Sequence, residues 1–110
     1  MKSGFRTMFL RDEKGQPVGC LAIGLTSKQR IVKYQVSALN PIDRFDRKMA
    51  RLLALGRLVE APFTAVLSDV ADINMHQISR DVMMHLASNK EVPSRASRAA
   101  RRWLRNKASK

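Results

Sequence analysis

Eight consecutive residues, Val18 to Leu25, contain no charged, amide or hydroxyl side chain. In an extended conformation Val18, Cys20 and Ala22 fall on one side and Leu21, Ile23 and Leu25 on the other, so both faces are apolar. That is the pattern of a central strand covered on both sides, and the rest of the chain has to supply the cover. The run is far shorter than the ~20 residues that cross a bilayer, and no other apolar stretch reaches that length.

Two β-rich runs flank it. Phe5 to Arg11 alternates imperfectly and ends at Asp12-Glu13-Lys14-Gly15-Gln16-Pro17, where Gly15 can take the left-handed conformation of a short hairpin loop. After Thr26-Ser27-Lys28-Gln29, a third run places Val32, Tyr34, Val36 and Ala38 on one face and Lys33, Gln35 and Ser37 on the other. Residues 5–39 therefore read as an antiparallel meander whose last strand has a solvated polar face.

Helices follow. Asn40 is a favoured N-cap, Pro41 suits the first helical position, and Asp43 lies near the positive end of the dipole. Ile42, Phe45, Met49, Leu52, Leu53 and Gly56 then share one face, expected to lie on the sheet with Gly56 allowing close approach, and this helix runs to about Leu58. Ala61-Pro62 breaks the pattern, and Phe63 to Leu67 reads as an edge strand or an apolar loop. Ser68 or Asp69 can cap a second helix with the stripe Met75, Ile78, Val82 and Leu86, extended by Ala71 and ended by Ala87-Ser88-Asn89.

The expected architecture is α+β: a three-stranded antiparallel β-meander followed by two packed α-helices and a basic amphipathic C-terminal helix. Residues 1–91 form a single domain and 92–110 the basic helix or tail, which is free to project. One core is what 110 residues can bury, and a hydrophobic fraction of 45% argues against disorder over most of the chain. The lone cysteine, Cys20, has no internal disulfide partner. With no secretory pattern in view, a soluble protein of a reducing compartment, the cytoplasm, is expected.

Charge narrows the function. Lys and Arg number 21 against 9 Asp and Glu, a formal +12, and seven of the cations lie in the final 18 residues, where there is no acid. Such a chain repels itself, and polyanions are the usual reason for it. On a helical wheel Arg95, Arg98, Arg101, Arg102 and Arg105 take one side of the terminal segment, with Lys107 following. Ala96, Ala100, Trp103 and Leu104 take the other. Arginine suits phosphate because its planar fork donates two hydrogen bonds at once, and Trp103 can dock the helix on the core or stack on an exposed base. A second stripe, Arg44, Arg47, Lys48 and Arg51, lies opposite the apolar face of the first helix. The bland alternatives are a solvated tail and a solvated helix face with Asp43 pairing Arg47.

Catalytic signals are sparse. Asp69, Asp72, His76 and Arg80 would share one side of the second helix, but two acids at a helix start serve the dipole, and one histidine with two carboxylates is an incomplete metal site. His85 is four residues from Asp81 and reads as a surface pair, while Cys20 reads as a small buried hydrophobe. There is no phosphate loop, nucleophile elbow, paired-cysteine spacing or HExxH, so no catalytic residue, metal or cofactor is expected and the chain reads as a non-enzyme. No RRM, KH, zinc-finger or zipper signature appears either.

The stretch Asn40 to Leu58 resembles, in general style, small accessory proteins of phages and mobile elements; the resemblance implies no activity and keeps a partner-binding reading open. The leading expectation is non-catalytic binding of DNA or RNA through backbone phosphates with little sequence specificity. Neutralising about six phosphates of B-DNA would give a log–log salt slope of roughly −5. The alternative is a small interaction module or inhibitor docking on an acidic partner protein. No integral membrane association is expected, and the terminal helix has too little apolar area for more than weak surface insertion.

Overall fold

The computed structural model describes residues 4–25, 31–38, 46–67 and 74–108. Its elements are β1 (Gly4–Arg11), β2 (Pro17–Leu25), β3 (Ile31–Ala38), α1 (Arg47–Glu60), β4 (Phe63–Val66), α2 (Met75–Ala87) and α3 (Ser94–Ala108). The fold is α+β. Its sheet has four strands rather than three, all antiparallel and in the order β1-β2-β3-β4. The fourth is the 63–66 segment, which pairs Phe63 with Tyr34 and Val66 with Ile31 and so occupies the edge beyond β3. Four residues carry too little periodicity to be told from a loop; pairing with β3 decides the matter.

Asp12 builds the β1–β2 turn. Its carboxylate accepts from the backbone N–H of Lys14 and of Gln16, both at 2.9 Å, and Gly15 adopts φ +79°. Beside the turn Leu10 faces Gly19 and Arg11 faces Pro17, so Val18 is the extra residue of a β-bulge. The bulge moves Val18 from the side of Cys20 and Ala22, where strict alternation puts it, into the cluster containing Leu21 and Ile23. A Cβ on Gly19 would collide with the carbonyl oxygen of Ser37, which is why β3 can run this close only to glycine.

Both faces of the sheet are covered. On one, Leu10, Leu21, Ile23, Val32, Tyr34 and Val36 form the main core with Ile78, Val82, Met83 and Leu86 of α2 and Ala96, Ala99 and Ala100 of α3. The last helix is therefore part of the core. On the other face α1 sets Ala50, Ala54 and Leu58 against Cys20 and Ala22.

That second layer corrects three expectations. The polar side of β3 is dry where α1 crosses it: Ser37 Oγ donates to the Ala50 carbonyl (2.7 Å), Gln35 Nε2 donates to the Ala61 carbonyl (2.7 Å), and both side chains are buried. The side of α1 expected inside is outside, with Met49, Leu52 and Leu53 exposed and open space around Gly56. The sheet face beneath is made of small and hydrogen-bonding groups. Ala50 and Ala54 approach it closely, and Arg57 donates to the Val36 carbonyl at 3.0 Å; a larger side chain at either alanine would hold the helix away. Thirdly, Asp46 is extended and caps α1 by accepting from Met49 N–H at 3.1 Å, so α1 begins at Arg47. The expected cap at Asn40 and Pro41, with Ile42, Asp43, Arg44 and Phe45, lies outside the described residues.

The second helix also starts later than its sequence suggests. Asn74 is its cap, accepting from Gln77 N–H at 2.9 Å, while the candidate caps Ser68 and Asp69, with Ala71, lie outside the described residues. Its end at Ala87, with Ser88 as C-cap, is where the sequence puts it.

Candidate nucleic-acid interface

Six cations surround one open cavity of about 340 Å³: Arg11 and Lys14 from the β1–β2 hairpin, and Arg95, Arg98, Arg102 and Arg105 from α3. Two acids, Asp12 and Glu13, share its rim. The arrangement follows from how α3 is anchored. Ala96 and Ala100 are fully buried, and Trp103 and Leu104 pack against the core, which turns the opposite arc of the helix towards the hairpin. Arg11 is held there by donating from Nη1 to the Gly15 carbonyl at 2.8 Å, and Arg98 Nε donates to the Ser94 carbonyl at 3.4 Å. Arg101 is exposed on α3 but does not line the cavity.

A second cavity, of about 370 Å³, adjoins the first along β1, the outer strand of the sheet. Met8, Phe9, Met83 and Trp103 contribute its apolar wall, and Lys107 lies 5.4 Å from the centroid of the Trp103 ring. From the opposite face of the sheet, Arg47 and Arg51 of α1 reach the Phe9 ring at 5.4 and 5.7 Å. The basic stripes of α1 and α3 thus lie on different layers and approach one another around Phe9. Lys48 is exposed, and Arg44 lies outside the described residues.

Sequence reasoning missed Arg11, Lys14, Met8 and Phe9. They belong to the first hairpin, and nothing in spacing places them beside residues some 90 positions later. The closest signal was the arginine ending the first run next to a polar turn.

The residues singled out for other chemistry are placed differently. His85 partners Tyr34 rather than Asp81: the Tyr34 hydroxyl and His85 Nδ1 are 2.6 Å apart, and Asn89 Nδ2 donates to the same hydroxyl at 2.9 Å. The Asn89 side-chain oxygen accepts from Glu91 N–H, which turns its amide nitrogen to Tyr34 and leaves the phenol proton for His85. Asp81 accepts from Gln77 Nε2 at 3.1 Å. His76 and Arg80 are exposed on α2, whereas Asp69 and Asp72 lie outside the described residues, ahead of the helix start at Met75. Cys20 is fully buried, and burial raises its thiol pKa against the opposing influence of Arg51 and a backbone hydrogen bond from Met8.

Among the described residues no group of three or more His, Cys, Asp or Glu side chains could hold a metal ion, and no helix is long and apolar enough to cross a membrane. No protein-family model, curated protein or solved structure matches the chain.

Proposed function

We propose that this protein binds nucleic acid through backbone phosphates, without catalysis and with little sequence selection, the groove between the β1–β2 hairpin and α3 being the contact surface. The observation carrying this reading is the convergence of Arg11, Lys14, Arg95, Arg98, Arg102 and Arg105 on one cavity, from two elements far apart in sequence. Five of the six are arginines, whose forks match phosphate oxygens, while Arg47 and Arg51 bring further positive charge to Phe9 on β1. A reducing, cytoplasmic setting suits a chain whose Cys20 is a free, buried thiol.

Because α3 belongs to the core, the test substitutes residues instead of removing the helix. Fluorescence anisotropy with labelled DNA and RNA, between about 50 and 300 mM salt, should give a steep loss of affinity with salt. The double variant Arg98→Gln/Arg102→Gln should bind more weakly and flatten the log–log slope by roughly 2. Absence of binding at the lowest salt, or a double variant indistinguishable from the parent, would sink the proposal.

The outer face of α1 favours a second reading. Met49, Leu52 and Val59 are 53%, 55% and 76% exposed around the unobstructed Gly56, and by helical spacing Lys48 and Arg57 border them. A stripe of this kind fits an acidic amphipathic helix of a partner protein, whose apolar seam would cover the leucines while its carboxylates meet the flanking cations. A synthetic helix with a leucine seam and glutamate flanks should bind the full chain and lose binding to Leu52→Gln/Leu53→Gln. Equal binding by that variant would count against this reading.

A further inference from the structure

The phosphate groove does not end at its cations. Arg11, Ala99 and Arg102 line both it and the adjoining cavity, so the two share a wall. The second cavity has a different chemistry from the first. Its lining is largely apolar, with Trp103 and Met8 beside Phe9 and the buried Met83, and Asn106 lies at its rim. Its volume of about 370 Å³ exceeds the ~300 Å³ at which small-molecule pockets begin. Resting on the nucleic-acid reading above, we infer that the preferred ligand is single-stranded: its phosphates follow the arginine groove while one unstacked base enters the neighbouring cavity against Trp103.

A duplex cannot use both parts. Its phosphates are available to the groove, but its bases are paired and stacked inside, and turning one out costs a few kcal/mol. A single strand presents charge and base face together, which is the combination the two cavities offer. Flat π-faces suit ring and thioether walls and select weakly among the four bases, in keeping with a protein that reads phosphates. The donors Asn106 and Arg102 are within reach of the polar base edge. Lys107 already lies over the Trp103 ring as a cation. An entering base takes its place on the ring, and the ammonium, which is exposed, turns to the adjacent phosphate.

The chain has one tryptophan, so Trp103 reports its own contact. The full-length protein is titrated at one fixed low salt concentration with a single-stranded oligonucleotide, the same strand carrying abasic sites, and the duplex of equal length. The expected result is quenching of Trp103 by the intact single strand only, with affinity about tenfold above that of the abasic strand and of the duplex. Trp103→Leu should erase the difference between intact and abasic strands, and Trp103→Phe, which keeps a ring, should retain most of it. The oligonucleotide comparison stands even if the leucine variant does not fold. Salt-sensitive binding in which intact, abasic and duplex ligands are equivalent and the fluorescence is unchanged would overturn this inference while leaving phosphate binding in place. Failure of all three ligands to bind would overturn both.

Discussion

Gly19 faces Ala38 across the ladder, with the Ser37 carbonyl where a side chain would begin. The obstacle is backbone in the middle of a sheet and cannot rotate away. Gly19→Ala should therefore lower stability by about 1–3 kcal/mol, seen as a lower midpoint in urea or heat. Tyr34, fully buried, is held at its hydroxyl by His85 and Asn89. Because exposed His85 can turn to water once the hydroxyl is gone, Tyr34→Phe should cost only about 1 kcal/mol. Burial raises the pKa of both Cys20 and Tyr34, the latter against an opposing hydrogen bond from Asn89. Raised values mean that the folded state holds these protons more tightly than the unfolded chain does. Their contribution is complete below the ordinary thiol and phenol values of 9.0 and 10.0 and is lost as pH climbs through the raised ones. Denaturant unfolding at neutral and alkaline pH should show this as a decline confined to the alkaline side, and an alkylating reagent should modify Cys20 only as fast as the protein opens.

At the scale of the element, α1 has two apolar faces, and the sheet uses the less hydrophobic one. Ala50 and Ala54 lie against Cys20 and Ala22, while Met49, Leu52 and Leu53 look outward. The two faces make opposite predictions. Gly56→Ala places a methyl in open space on a helix interior and should raise stability by about 0.5–1 kcal/mol. Ala54→Leu forces three extra carbons into a fully buried contact and should lower it by about 1–3 kcal/mol. Thermal unfolding of the two single variants checks both signs; two shifts in the same direction would mean that the helix is rotated from the orientation described. A mid-helix glycine with no internal neighbour costs stability without a packing reason of its own, which suits a surface that another backbone approaches.

Over the whole molecule the formal +12 acts on stability and binding with opposite signs. Screening relieves self-repulsion in the free protein and weakens attraction to a polyanion. Raising salt from about 20 to 300 mM should therefore raise the thermal midpoint of the free protein and lower its affinity for nucleic acid over the same range. Arg98→Gln/Arg102→Gln should reduce both effects, since it removes two of the charges gathered at the groove.

How much of this was legible in the chain depends on the range of the interaction involved. The hairpin turn at Gly15, the central position of β2, the stop at Pro62, the end of α2 and the amphipathic nature of α3 are all written in residues within a few positions of one another. Turn chemistry, alternation and helical spacing act over that distance. The four-strand sheet, the choice of α1's buried face and the partner of His85 were not legible, because each is settled by groups 10 to 50 or more positions away; the bulge that moves Val18 across is set by pairing within the hairpin, which alternation alone does not register. Hydrophobic pattern ranks the faces of a helix by apolarity. It does not register that Ser37 and Gln35 beneath α1 need backbone acceptors, or that Ala50, Ala54 and Leu58 are the residues that pack above Cys20 and Ala22. The same division holds at the candidate site. Sequence by itself determined that α3 would carry an arginine face and that Trp103 would lie on its opposite side. Only the tertiary structure decided that this face meets Arg11 and Lys14, because packing of Ala96 and Ala100 into the core fixes the rotation of the helix and with it the direction of every arginine.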